Sequence, residues 1–569
     1  MTSGDPLKKF REAMEGRNCN FSVKMVEEVE VRKIIKGLKN SSATGIDYID
    51  TRTLKLIADY VSVPLAHIIN LSISSGIFPK VWKWAKVVPL LKSNTADATL
   101  PKSYRPVALL PIMSKILERV VFGQLVKYLE DNKLIHPNLH GSRKGHDTST
   151  ALLQLYDMWI EDIEEGKTVG VLICDQSAAF DLCDHQILLG KLKLMGLDDS
   201  ALNWIESYLG NRKQSCFVDA ELSIPLNLPA CGVPQGSVGG PLLWLAFTCD
   251  QPDVVHDHPV THSDLHRGCP AKKYPNVEEK NCGELVGYVD DGAYSFAHRD
   301  PAIVSTVLTE KYDKLEDWMN TNKLVINADK THLLVMSNKK YDNHHRNISI
   351  MAGNYQIKPS TSEKLLGGHI HKSLRWNYHI AECSSSLVKQ LVIRNNALKR
   401  VSRNANFGVR LMIANGSVQS KLIYLINVWG GAQQYLLKAL QLQQLTAART
   451  VCGPQSMRWS KSRLLQKVRW LSVKQLIEFH TILQAHKTLI TGKPVALFDE
   501  LSGSYPYQTR SATVGDIRLK KENSSLRTFK YRAMVLYNRV PQNVKTGSLL
   551  SFKQKLKQWI KENVPLDWS

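Results

Sequence analysis

What the chain lacks narrows the field first. Cysteine is scarce, ten in 569 residues with none in a Cys-x-x-Cys pair, which excludes a disulfide scaffold and fits a reducing, intracellular compartment. No uninterrupted apolar run reaches membrane length. The two long uncharged stretches, residues 60–79 and 222–249, are broken, the first by His67, Asn70 and several serines and the second by proline and glycine, so no membrane partner is expected. The start, Met1 to Lys9, carries no basic-then-apolar signal. Acidic residues are in deficit, 52 against 74 basic, which leaves a net charge of +22. Such an excess concentrates polyanions at the surface, so nucleic acid is the leading partner class, ahead of an anionic membrane surface. The remaining balance, 43% apolar and 22% charged, is that of a globular protein, and the length implies roughly two to four domains.

Against that deficit two adjacent acids stand out in Gly287-Tyr288-Val289-Asp290-Asp291-Gly292. The β-formers on both sides predict a hairpin, with Asp291-Gly292 as its tight turn because glycine readily adopts positive φ. Two carboxylates this close repel unless protons or cations neutralise them, which suits a divalent-cation site, although a solvated acidic turn has the same sequence. A third acid, Asp175, ends the apolar run Thr168 to Cys174, the pattern of a buried strand. A strand-end acid beside an acidic hairpin is the geometry for two Mg²⁺ ions shared by an attacking and a leaving oxygen. Between them lies Gly232-Val233-Pro234-Gln235-Gly236-Ser237-Val238-Gly239-Gly240-Pro241, whose glycines let backbone approach a ligand closely. Ser237 is expected to cap a helix over 242–247.

Taken in order, these motifs resemble those of the reverse transcriptases of non-LTR (LINE/Jockey-like) retrotransposons, a branch of the right-hand polymerases. Ser103-Tyr104-Arg105-Pro106-Val107-Ala108-Leu109-Leu110-Pro111 is similar to the fingers motif, and His140-Gly141-Ser142-Arg143-Lys144-Gly145-His146 to the next block. Asp175 to Asp181 resembles palm motif A, Gly232 to Pro241 motif B, Tyr288 to Asp291 motif C and Asn327-Ala328-Asp329-Lys330-Thr331 motif D. Leu365-Leu366-Gly367-Gly368, with Leu374 and Trp376, resembles motif E. The likeness runs from about Lys39 to Ile380, more faintly to the end.

The resemblance implies an α+β right-hand polymerase with fingers, palm and thumb and a mainly helical C-terminal region. Its parts would be a helical extension of the fingers (1–71), fingers and palm (72–371), a thumb (372–452) and the C-terminal region (453–569). It implies an RNA-directed DNA polymerase that adds deoxynucleoside triphosphates to a DNA primer on an RNA template. Asp175, Asp290 and Asp291 would be its catalytic acids and the ligands of two Mg²⁺ ions. Nucleotide-binding roles follow for Lys92 and Arg105, which bracket a polar loop as the two cations of the fingers hairpin do, and for Gln235 and Gly236. Lys330 would donate a proton to the leaving pyrophosphate. Phe180 stands five residues after the motif A acid, where an aromatic ring lies beneath the sugar and leaves no room for a 2′-hydroxyl. Asp181 also matches the pattern, and a supporting role is expected for it.

Elsewhere the reading is plainer. Trp82 and Trp84 with Lys80, Lys83 and Lys86 mix aromatics and cations, a combination that can stack a template base and neutralise phosphates; the adjoining strand pattern 87–91 favours core for the tryptophans. Arg143, Lys144 and His146 fit a loop that faces either phosphate or solvent. Helical spacing predicts helices over 114–134, 313–322, 384–401, 407–424, 433–451 and 473–489, with a polar break over 453–463. The irregular spacing of His256, His258, His262, His266 and Cys269 reads as an insertion loop rather than a zinc site. Gly239, Gly287 and His371 depart from the family pattern. No segment reads as an endonuclease domain and there is no cysteine-histidine knuckle, so a piece of a longer reading frame is expected. An endonuclease domain or another element-encoded protein would then be a partner, in the nucleus and in cytoplasmic ribonucleoprotein. The competing expectation is a catalytically inactive remnant that binds nucleic acid.

Overall fold

The structure, a computed structural model, describes residues 4–93, 96–176, 179–255, 283–326, 330–337, 348–353, 355–502 and 527–568. The histidine-rich stretch 256–269 and the first three residues of the 327–331 motif lie outside them. The chain forms two compact units, one of Met1–Ser142, Asp175–Leu265 and Lys311–Ala328, the other of Arg143–Cys174, His266–Glu310 and Asp329–Ser569. In chain order the described strands are β1 (Trp84–Leu91), β2 (Tyr104–Leu109), β3 (Thr168–Asp175), β4 (Lys213–Val218), β5 (Glu221–Leu222), β6 (Leu226–Asn227), β7 (Glu284–Tyr288), β8 (Asp291–His298), β9 (His332–Met336), β10 (Ile350–Ala352), β11 (Tyr355–Ile357), β12 (Pro359–Ser360), β13 (Ser362–Leu365) and β14 (Gly368–His371).

The first unit holds a sheet of order β2-β1-β4-β5, with β6 also on β4. β1 is buried at its root, at Ala85, Lys86 and Val87, and exposed at its tip, at Leu90 and Leu91, so the β1–β2 hairpin projects from the unit. Beside it, helix Ile112–Asp131 starts directly after Pro111, and helix Asp199–Leu209 packs its aromatic residues against it. Trp204 and Tyr208 stack at 5.8 Å, while Phe78 and Phe122 meet both rings edge-on at 5.1 to 5.9 Å. Edge-to-face contacts of this kind add to the burial of four large rings. Trp82 and Trp84 are half-buried, but two of the neighbouring lysines turn inward. Lys83 donates to the carbonyls of Ser207 and Gly210, and burial lowers its ammonium to about 8. Lys86 lies over the rings of Tyr48 and Phe217 at 5.2 and 4.9 Å. These two cations hold the fold and do not present charge to a polyanion.

In the second unit the sheet order is β12-β9-β3-β8-β7. Val169, Val171 and Ile173 of β3 point into the main core, and the alternate residues Leu172 and Cys174 are buried on the opposite face. Both faces are therefore covered, which is why β3 reads as an unbroken apolar run. At Gly170 a Cβ would lie 2.5 Å from Leu308 and 2.7 Å from Val304, so only glycine lets the helix that begins at Pro301 pack this closely. The core continues through helices Thr148–Glu164, Leu387–Ser402, Gln434–Cys452, Val473–Thr491, Phe529–Asn538 and Leu549–Asn563. Residues on both sides of the polar segment 453–463 belong to it. Where a continuous helix over 407–424 is expected, the chain forms Phe407–Ala414, a π-type turn over Asn415–Gln419 and a short helix Ser420–Ile423; asparagine, glycine and serine are weak helix formers. Asp157, fully buried, accepts from the N–H groups of Phe529 and Lys530 at 2.8 and 2.9 Å and so caps the Phe529–Asn538 helix. Burial raises its carboxyl, and those two donors oppose the rise. Among the described residues no helix is long and apolar enough to cross a membrane.

Candidate active site

The acidic hairpin forms, but its turn is not the expected one. β7 and β8 pair from Glu284↔Ser295 to Tyr288↔Asp291, with Gly287 opposite Gly292. The turn is therefore Val289-Asp290, and the Asp291-Gly292 pair lies within the ladder. Val289 has φ +62°, as the first central position of a type II′ turn requires. A β-branched residue there is strained by about 1–3 kcal/mol. The ladder outweighs that preference. With Asp291-Gly292 at the turn Leu285 would face His298, whereas the adopted register sets Leu285 against Tyr294 and Val286 against Ala293, all four buried. Burying even one such side chain contributes about 1.5–3 kcal/mol.

Asp290 is half-buried at the turn and Asp291 exposed beside it. β8 is the sheet neighbour of β3, whose last residue is Asp175. The side chain of Asp175 is not among those described, and among the described side chains no three His, Cys, Asp or Glu residues are grouped as metal ligands. Carboxylate oxygens such as those of Asp290 and Asp291 are the donor type that hard divalent cations take.

In the first unit the glycine-rich loop is fastened at both ends. Gly232 and Val233 donate their N–H groups to the carbonyls of Cys183 and Phe180 at 2.8 and 2.7 Å. Gly232 has φ +84°, and a Cβ there would lie 3.0 Å from the Asp181 carbonyl oxygen. At the other end Ala108 of β2 donates to the carbonyl of Gln235 at 3.3 Å, and Gly236, at φ +98°, would bring a Cβ to 2.6 Å from the Ala108 carbonyl oxygen. Gln235 Nε2 donates to Asp181 Oδ1 at 3.3 Å, so Asp181 does act as a support; burial raises its carboxyl and this hydrogen bond opposes the rise. Phe180, half-buried, stacks on Trp244 at 5.7 Å and 23°, and Trp244 is itself fully buried. Ser237 does not cap the helix as expected: the N-cap of helix Gly240–Phe247 is Gly239, and Ser237 Oγ instead accepts from the N–H of Gly240, the first helical residue, at 2.8 Å from outside the helix.

Two residues here escaped the sequence reading. Glu118, fully buried, accepts from the N–H groups of Val238 and Gly239 at 2.6 and 3.2 Å, from Ser114 Oγ at 2.7 Å and from Tyr208 at 3.4 Å. Phe122 explains the small residue at 239, because a Cβ on Gly239 would lie 2.1 Å from its ring. A glutamate on the apolar stripe of a helix was the available signal for the first; the second had none. The departure at His371 is satisfied locally, by Ser373 Oγ at 2.8 Å and by stacking on Tyr378.

Lys92 and Arg105 are both exposed. Arg105 lies opposite Leu90 in the β1–β2 ladder, and Lys92 is two residues beyond Leu90. Facing residues and their i+2 neighbours share one side of a sheet, so the two cations sit diagonally on one face of the projecting hairpin. Lys92 Nζ donates to the Lys102 carbonyl at 2.8 Å. Lys330 is exposed in the second unit, as is Lys144, while Arg143 and His146 are half-buried there.

Residues 91–370 match the reverse transcriptase (RNA-dependent DNA polymerase) family. The chain is 27% identical over 424 residues to the RNA-directed DNA polymerase from mobile element jockey of Drosophila melanogaster, an alignment covering 74% of this chain and 43% of that protein. It is 28% identical over 425 residues to the jockey protein of Drosophila funebris, with the same coverage, and 26% identical over 432 residues to the probable RNA-directed DNA polymerase from transposon BS of Drosophila melanogaster, covering 76% of this chain and 45% of that one. The chain thus spans less than half the length of these relatives. Residues 91–370 therefore match a reverse transcriptase domain, and the relatives that share this similarity are mobile-element proteins by name.

Proposed function

We propose that this protein is an RNA-directed DNA polymerase, extending a DNA primer with deoxynucleoside triphosphates on an RNA template. The observation that carries the reading is the strained turn at Val289, which sets Asp290 and Asp291 at one tip of the sheet whose β3 ends at Asp175. Strain of this kind persists where the surrounding structure holds it, and it concentrates at functional sites. Asp175, Asp290 and Asp291 would hold two Mg²⁺ ions, which when bound supply the positive charge that stabilises phosphoryl transfer from a nucleoside triphosphate. Lys92 and Arg105 neutralise the incoming triphosphate, arginine through its planar pair of donors. Gln235 and Gly236 place the loop backbone against the nucleotide. Phe180, backed by Trp244, excludes a 2′-hydroxyl. Lys330 delivers a proton to the departing pyrophosphate.

In the right-hand description the projecting β1–β2 hairpin belongs to the fingers, with residues 1–71 as their helical extension. The sheet of the second unit belongs to the palm within 72–371, the helices of 372–452 form the thumb, and 453–569 form the C-terminal region. Primer extension on an RNA template with deoxynucleotides and Mg²⁺ tests the reading. Absence of product from protein that still binds the primer–template would leave the alternative, an inactive nucleic-acid-binding remnant. The fit between Gly239 and Phe122 counts against decay at one of the positions that depart from the family pattern.

A further inference from the structure

The first unit contains a second basic feature that the polymerase reading does not use. A cavity of about 410 Å³ opens between the loop 37–51, the end of β2 and helix Ile112–Asp131. Its lining carries three cations, Lys39, Lys115 and Arg119, and no carboxylate. Ser41 and Thr44 supply polar groups. Gly45 is pressed against Pro111, where a Cβ would lie 2.6 Å from the proline nitrogen, so the loop wall is held in place by backbone contact. Among the described residues none of the three cations has an ion-pair partner. Glu118, whose charge acts on Lys115, is already engaged by four donors. Burial lowers the Lys115 ammonium, Glu118 opposes that and Arg119 adds to it; an anion in the cavity would relieve both the desolvation and the repulsion.

We propose that this cavity binds a phosphate group, Lys115 and Arg119 forming one wall and Lys39 the other, at a site separate from the acidic hairpin. Three positive charges around a polar concavity with no carboxylate in its lining are complementary to a compact dianion or a phosphodiester. A polynucleotide strand is the source that the +22 charge of the chain favours, and free pyrophosphate carries the same chemistry.

The test is binding, without polymerisation, so it stands or falls apart from the activity reading. A fluorescein-labelled single-stranded RNA oligomer is titrated with the full chain over a range of KCl, for wild type and for the Lys115→Gln/Arg119→Gln double variant. A control, Lys127→Gln/Lys193→Gln, removes the same net charge from exposed positions outside the cavity. If the cavity holds one backbone phosphate, the slope of log affinity against log salt becomes shallower by about 0.7 in the cavity variant, with roughly tenfold weaker binding at low salt, and stays near wild type in the control. Inorganic pyrophosphate as competitor distinguishes the sources. Displacement of RNA from wild type but not from the cavity variant assigns the cavity to phosphate in either form, whereas an altered slope without displacement assigns it to the strand alone. Equal effects of the two variants, or no effect of the cavity variant, would overturn the proposal.

Discussion

Glu118 offers the sharpest quantitative test, because one buried carboxylate holds the loop that carries Gln235 and Gly236. Its Oε2 accepts from Val238 N, Gly239 N and Tyr208, and its Oε1 from Ser114 Oγ. In Glu118→Gln the amide oxygen can keep the Oε2 position while its NH₂ group faces Ser114, whose hydroxyl can rotate to accept. Only the charge at the start of helix Gly240–Phe247 is lost, and the cost should be about 1–2 kcal/mol. Glu118→Leu removes the acceptor and leaves two backbone N–H groups buried without a partner. At about 1–3 kcal/mol for each orphaned group, the cost should be roughly 2–6 kcal/mol. Thermal melting of both variants, with hydrogen exchange read at the Val238 and Gly239 amides, supplies the measurement. With two compact units the order of the midpoints is the safer quantity. The Gln variant should melt slightly below wild type with protected amides, and the Leu variant well below it with both amides exchanging faster. A Leu variant that melts with wild type, or whose two amides keep wild-type protection, would refute the reasoning.

Asp290→Asn keeps the shape of the side chain and removes the charge a divalent cation needs; primer extension should fall by two or more orders of magnitude, about 3 kcal/mol or more, while affinity for primer–template stays within a few-fold. Retention of more than a few per cent of the rate would remove Asp290 from the site. Phe180→Val should lower the ratio of kcat/KM for deoxy- over ribonucleotides by roughly tenfold or more, the relief of a clash worth about 1.4 kcal/mol. If Phe180 only fills space beside Trp244, both substrates should suffer together and the ratio hold. Gly239→Ala alone should cost roughly 1–3 kcal/mol by driving a methyl into the Phe122 ring. Adding Phe122→Leu should then cost less than it does in the wild-type background, and an additive double-mutant cycle on thermal stability would show that the two positions do not share the space.

The sequence by itself determined much of this protein. The apolar run of β3 closing on Asp175, the paired acids between two β-forming arms and the glycines before the Gly240–Phe247 helix are local patterns, and local patterns survive folding when the backbone at those positions has few alternatives. Their order along the chain carried the family, which residues 91–370 then matched. The amphipathic helices were legible to within a few residues, save where Asn415 and Gly416 interrupt one of them and where the helix expected over 313–322 begins twelve residues earlier, at Pro301. Tertiary structure decided the rest. It moved the hairpin turn from Asp291-Gly292 to Val289-Asp290, because cross-strand burial outweighs the glycine preference of a turn. It drew Lys83 and Lys86 inward among carbonyls and rings contributed by residues distant in sequence, so their charge could not be read as surface. Glu118 meets Val238 and Gly239 across 120 and 121 positions, and Asp157 meets Phe529 across 372. A side chain's role in such a contact is fixed by what folding brings opposite it, and the periodicity of its own segment carries no record of that partner.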